Sequence, residues 1–463
     1  MRKSLILITS LTLILTSCQT PSGEDTVRIT KPPADLPPTW TSVPTTVHSL
    51  INTSQPSPAH SPQLFPSATP TNPPPTEPLP TVEIVQPTGT AVPRSTPDAL
   101  IPGEELRITT IQMESPDQGW AIGRQQDPIY RILKTRDGGE SWMDHTPPAV
   151  FSNLDLISED DTIAYFRDLN RAWVLFNHER TWESYSDHRV WLTTDGGETW
   201  TASNPLPFPL GVRYVTPAQF YFINPFQGWL WVHSDYMMMH DYGYLFYSAD
   251  GGMNWTLVNS TGDSMIEVLW NTEMAFADEE YGWMLKDSLG GFTPFIEITQ
   301  DGGQTWEWID LPAPIGDWED LDRRCFGLDP WFNPGSLEGS FLLNCAPATE
   351  AGGYDLARIS SYLYSSSDSG KSWEIQQLPD QVDQLVLRED ATGYAFGQIH
   401  YQTPDGGETW QKIKQVYWLG DFSVLSTQYL WAVARSGDQI ALVTSKDGGQ
   451  TYQLINPIAA SRE

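Results

Sequence analysis

A short turn sequence recurs seven times along this chain, and nothing else in it restricts the fold as strongly. The copies are Asp137-Gly-Gly-Glu-Ser-Trp142, Asp195-Gly-Gly-Glu-Thr-Trp200, Asp250-Gly-Gly-Met-Asn-Trp255, Asp301-Gly-Gly-Gln-Thr-Trp306, Asp368-Ser-Gly-Lys-Ser-Trp373, Asp405-Gly-Gly-Glu-Thr-Trp410 and Asp447-Gly-Gly-Gln-Thr-Tyr452. Each follows a β-rich run, such as Ile129–Thr135 or Gln439–Thr444, and such a run ending in Asp-Gly marks a hairpin. The aspartate can accept from backbone N–H groups two or three positions on, and glycine supplies the positive φ of a tight turn. Ser or Thr starts the outgoing strand, and the aromatic after it can wedge between sheets. One copy is an ordinary hairpin; seven with a shared aromatic are a structural repeat.

A second element precedes most copies: Asp117-Gln-Gly-Trp120, Phe226-Gln-Gly-Trp229, Glu280-Tyr-Gly-Trp283 and Ala391-Thr-Gly-Tyr394, with weaker versions ending in Trp173 and Trp431. Each reads as a turn entering an inner strand. One repeat is therefore strand, turn, strand, loop, strand, Asp-Gly-Gly turn, strand. Successive motif aspartates lie 58, 55, 51, 67, 37 and 42 residues apart, enough for four strands each, with insertions in the longer repeats. The predicted fold is all-β: a seven-bladed β-propeller of four-stranded antiparallel blades over residues 101–463. Cys325 and Cys345 fall on the first two strands of the fifth repeat, where neighbouring antiparallel strands meet disulfide geometry easily.

At these residues the chain resembles the Asp-box, or BNR, repeat propellers, and most of all the photosystem II stability/assembly factor branch. The resemblance spans about 350 residues and implies a non-enzymatic binding factor. Other Asp-box propellers are sialidases, which use three arginines, a Tyr–Glu pair and an aspartic acid. Arg107, Arg131, Arg167, Arg189, Arg213 and Arg358 lie on or near predicted strands, but no Phe-Arg-Ile-Pro-like opening is present. A sialidase-like glycoside hydrolase is thus the alternative. Three arginines around a Tyr–Glu pair would favour it.

The N-terminal hundred residues are a different material. Arg2 and Lys3 precede an apolar run from Leu5 to Leu15, and Leu15-Thr16-Ser17-Cys18 follows. This resembles a bacterial lipoprotein signal over residues 1–17, with Cys18 becoming the acylated N-terminus. Residues 18–100 then form a Pro/Thr/Ser-rich linker, where half of the 38 prolines lie. Such a composition cannot bury enough apolar surface to order itself, and is expected to act as a disordered stalk. With Cys18 acylated, Cys325 and Cys345 remain as a disulfide pair in an oxidising compartment. The expected location is extracytoplasmic, on the cell membrane or cell surface, with membrane contact through the anchor only.

Charge narrows the partners. The first hundred residues hold six acidic and five basic side chains, leaving 52 and 21 in the remainder, a net of −31. A field of that sign repels nucleic acid and offers no basic groove. Neither Glu159-Asp160-Asp161 nor Glu319–Asp322 has calcium-loop spacing, and the eight histidines form no ligand pattern, the one beside Met237–Met239 included. No metal or cofactor is expected, and the propeller is expected to be a monomer. In such blades the Asp-Gly-Gly and first-to-second turns share one end of the ring; second-to-third loops and inter-blade connections share the other. The long segments 177–189, 234–242, 287–293 and 310–322 all belong to the second end. They carry Trp182, Tyr185, His188, Tyr236, Tyr242 and Trp318 among acidic residues, as candidate contacts for a protein or glycan.

Overall fold

The computed structural model describes residues 99–148, 162–176, 188–209, 212, 215–237, 240–260, 272–286, 295–314, 323–349 and 353–461. They form seven antiparallel sheets whose strand order follows the chain. Blades 1 to 7 span Arg107–Asp144, Thr162–Ala202, Val215–Ser260, Thr272–Asp310, Arg323–Gln377, Gln384–Gln415 and Leu419–Ile455. The fold is the expected seven-bladed propeller. First strands of successive blades approach one another around the ring and so lie innermost, with the fourth strands at the rim.

Each sheet is covered on both faces by its neighbours, so side chains pointing either way are buried. Second strands therefore read as continuous apolar runs rather than alternating ones. Ala172-Trp-Val-Leu-Phe176 and Gly393-Tyr-Ala-Phe396 are buried throughout. The core is divided into seven clusters, each drawn from two adjacent blades. Blades 1 and 2 contribute Trp120 and Ile132 with Phe166 and Val174. Blades 7 and 1 contribute Trp431 and Val433 with Met113 and Trp142, which closes the ring.

The C-terminal segment reinforces that closure. Ile458–Ala459 runs parallel to Ser141–Asp144 as a fifth strand on blade 1. On its other side, Leu106 N–H donates to Pro457 O, and Gly103 N–H to Ala459 O, each at 2.8 Å. Both ends of the propeller are thus paired with each other at the rim of one blade.

In blade 5, Cys325 and Cys345 are direct cross-strand partners joined by a disulfide, with Cα atoms 4.1 Å apart. The pairing is the expected one.

Candidate functional site

The seven Asp-Gly-Gly turns share one hydrogen-bond network. In each, one carboxylate oxygen accepts the N–H four residues on, at 2.8–2.9 Å. The N–H three residues on also helps hold the carboxylates of Asp137, Asp250, Asp301, Asp368 and Asp447, as Met253 does for Asp250 at 3.1 Å. The other oxygen takes the side chain of that fourth residue, Ser, Thr or Asn, at 2.5–2.7 Å. A hydroxyl two residues before each aspartate completes the turn: Thr135, Thr193, Ser248, Thr299, Ser366, Thr403 and Ser445. It donates to the carboxylate and accepts the N–H two residues after the aspartate at 2.7–2.9 Å. That hydroxyl recurs in every copy and was legible in the sequence. The Thr199 hydroxyl and N–H hold the Asp195 carboxyl down at about 2 against a small opposing effect of burial. These aspartates are turn staples.

The two repeated elements meet at the residue after each aspartate. Its N–H donates to a carbonyl in its own blade's first-to-second turn, as Gly138 does to Asp117 O at 2.9 Å and Gly302 to Glu280 O at 2.8 Å. Its own carbonyl often accepts an indole from the preceding blade. Trp173 donates to Gly251 O, Trp229 to Gly302 O, Trp283 to Ser369 O and Trp431 to Gly138 O, at 2.7–3.0 Å. The last of these spans the ring closure. Between blades 1 and 2 the part passes to Lys134, whose Nζ reaches Gly196 O at 3.1 Å, while Trp120 donates to Asp168 O at 2.9 Å. The seventh copy ends in Tyr452 because its hydroxyl meets the buried His400 Nδ1 at 3.0 Å.

Inner strands are clamped by side chains. The N–H groups of Met113, Met274, Asp329 and Phe422 are accepted by Ser423 Oγ, Gln219 Oε1, Glu273 Oε2 and Gln384 Oε1 of the preceding blade, at 2.6–3.0 Å. Glu273 therefore stands where two other blades use glutamine. Burial, with the Asp329 charge beside it, pushes its carboxyl well above the usual range. Asp329 itself sits at φ 51°, where the blade 5 register slips.

At the turn end of blades 1 and 2 a second polar group is assembled. Glu114 accepts from Gln112 Nε2, and burial raises its carboxyl to about 7, with Asp168 adding to the rise. The Tyr165 hydroxyl, raised by burial, feels both the Arg167 guanidinium and the Glu114 charge. A cavity of about 510 Å³ opens there, lined by Glu114, Asp168, Leu169, Asn170, Arg171 and Thr194. Asp168 is shaped into the turn by the N–H groups of Asn170 and Arg171, at 2.7 and 2.9 Å. Sequence reasoning named Arg167 but missed Glu114 and Tyr165, for which no local signal exists.

No protein-family model matches the chain, and no curated protein is significantly similar to it. Solved structures are similar in chain path. YCF48 from Cyanidioschyzon merolae is 16% identical, with a TM-score of 0.42, covering 75% of this chain and 98% of that one. Polysaccharide lyase Uly1 is 11% identical, with a TM-score of 0.42, covering 80% and 94%. An α-L-arabinanase from Penicillium chrysogenum, complexed with arabinobiose, is 15% identical, with a TM-score of 0.39, covering 61% and 91%. Likeness at this level says nothing about a ligand.

Of the candidate contacts, Trp182, Tyr185 and Trp318 lie outside the described residues, as do Cys18 and both acidic runs. Tyr236 and Tyr242 are on the second and third strands of blade 3, at the end away from the Asp-Gly-Gly turns. His188 is 6% exposed and packs edge-on against Phe208, so its ring belongs to the core between blades 2 and 3 rather than to an open surface. Among the arginines, Arg131 is buried on Asp127, with Asp144 at 3.8 Å, and Arg189 donates to Ser203 O at 2.8 Å. Arg167 lies at the turn end beside Tyr165, whose hydroxyl also feels the Glu114 charge. Among those residues no group of three or more His, Cys, Asp or Glu is placed to hold a metal.

Proposed function

We propose that this chain is a lipid-anchored, extracytoplasmic Asp-box propeller that binds a protein or glycan through the loop end of its ring and works as a non-catalytic scaffold. The observation that carries this reading is the uneven build of the blades. In blade 3 the second and third strands, Gly228–Met237 and His240–Ser248, continue past the first strand to a Met237–His240 pair. In blade 5 the first two strands run ten and nine residues, with Cys325–Cys345 near the same end. Blade 6, without such extension, uses strands of four and five residues. Longer strands at one end, one pair of them stapled by a disulfide, make a preorganised edge, and preorganisation lowers the ordering cost of binding. The leader-like first 18 residues and the Pro-rich stalk supply the tether.

One experiment on intact cells tests both halves. Cys18→Ser is expected to abolish palmitate labelling. Joint replacement of Trp182, Tyr185, Tyr236, Tyr242 and Trp318 by Ser is expected to reduce capture of the cell-surface partner at least tenfold, with Tm nearly unchanged. Undiminished capture by that variant would reject the loop end as the binding surface.

A further inference from the structure

We propose that the groove where blade 7 meets blade 1, at the turn end of the rim, docks a basic peptide segment of a partner protein: an arginine or lysine flanked by apolar residues. The groove has a volume of about 420 Å³ and is walled from three sides. Blade 1 supplies Asp117, Asp137 and Glu140, blade 7 supplies Lys446 and Leu454, and the closing strand supplies Ile458. Leu454 is 48% exposed and Ile458 40%, although both are aliphatic. Thr135 and Ser141 already occupy the Asp137 carboxylate. No described residue bonds to the carboxylate of Asp117 or of Glu140, or to the Lys446 ammonium.

This lining selects the occupant. An anion would meet three carboxylates. A metal ion would find two open ones, too few beside a lysine. A long basic side chain lays its aliphatic stem on apolar surface while its charged head reaches a carboxylate, and so uses both kinds of wall. The field of the whole chain, at a net charge of −32, draws the same partner. Two features favour a peptide over a small free cation. Lys446 would repel a compact cation, but it can donate to a peptide carbonyl. Gln453–Ile455, which lines the groove, is the edge strand of blade 7 and pairs on one side only, with Gln439–Ser445. An open edge takes an extended segment through main-chain bonds, as the outer strand of blade 1 takes Ile458–Ala459. A segment bound here touches both sides of the ring closure, so binding also stabilises the closed ring. The groove is at the opposite end from the loop surface, so either reading can fail without the other.

The test is fluorescence anisotropy on the full chain with a labelled, capped peptide, Leu-Arg-Leu-Arg-Leu-Ser, and its counterparts with Gln or Glu in place of Arg. The Arg peptide is expected to bind at least tenfold more tightly than the Gln peptide and, at saturation, to raise Tm; the Glu peptide should not bind. Asp117→Asn with Glu140→Gln, exposed changes that leave the backbone bonds of the closure in place, should weaken the Arg peptide at least tenfold, and Leu454→Ser several-fold. Glu389→Gln with Asp438→Asn removes two exposed charges elsewhere and should change its affinity less than twofold. Three results overturn the proposal: no binding of the Arg peptide, equal binding of the Arg and Gln peptides, or a loss no greater at Asp117 and Glu140 than at Glu389 and Asp438, which would assign the attraction to net charge alone.

Discussion

Thr299 and Asp301 show how much of one turn rests on two side chains. Asp301 accepts the Thr305 N–H and hydroxyl, while Thr299 donates to Asp301 and accepts the Gly303 N–H. Asp301→Ala strands several donors at once, and we expect a loss of about 1–3 kcal/mol. Thr299→Val keeps the shape but removes the linking hydroxyl, and should cost about the same. Trp306→Ala should cost more, roughly 3–5 kcal/mol, because it opens a cavity between blades 3 and 4. Urea unfolding of the three variants measures the order. Losses below about 0.5 kcal/mol for both turn variants would mean that glycine geometry alone holds the turn. Both glycines do take positive φ, 74° and 95° at Gly302 and Gly303. In the fifth copy Ser369 takes 62° without that freedom.

At the scale of the element, the inner strands carry a pH dependence. Glu273 does for blade 5 what Gln219 does for blade 4 and Gln384 for blade 7. Its folded carboxyl keeps its proton to higher pH than the unfolded chain does, because burial and Asp329 disfavour the charge. Glu114 behaves alike, with a folded value of about 7. For a raised carboxyl the stabilisation is full below the unfolded value and is lost as pH rises through the folded one. The share of stability these two carboxyls contribute should therefore fall between pH 5 and pH 8, against the opposite trend of the buried His233 and His400. Glu273→Gln keeps the acceptor and removes the titration, so it should be near neutral at pH 5 and stabilising at pH 8. A variant whose Tm falls as steeply as the parent's would contradict this account.

The whole molecule depends on closing the ring. Core clusters at every blade junction leave no free sheet face, and the strand Ile458–Ala459 ties the rim of blade 1 to Gly103–Leu106. Deleting residues 457–463 removes the Leu106–Pro457, Gly103–Ala459, Glu104–Ala459, Glu140–Ile458 and Trp142–Ala460 bonds. At about 0.5–1.5 kcal/mol each, the loss is roughly 3–7 kcal/mol. Calorimetry should find a lower Tm, and limited proteolysis should cut first in the outermost chain segments at the closure, near Gly103–Leu106 or Gln453–Ile455. An unchanged melting curve would show that the Trp431–Gly138 bond and its apolar cluster close the ring unaided.

The blade count, the strand order and the Cys325–Cys345 pairing were legible in the sequence, because seven equivalent turns demand the same residues at the same spacing. The hydroxyl two residues before each aspartate recurs just as plainly, but its part is set by the folded turn, where it bridges the carboxylate and the N–H two residues beyond. Two things only the tertiary structure decided. The second element's tryptophans bond the next blade's turn rather than their own, which depends on how twisted sheets stack around an axis. Gln112, Glu114 and Tyr165 come together although more than fifty positions separate the first from the last. No local rule marks such a group: burial and proximity belong to the packed ring, not to any stretch of chain.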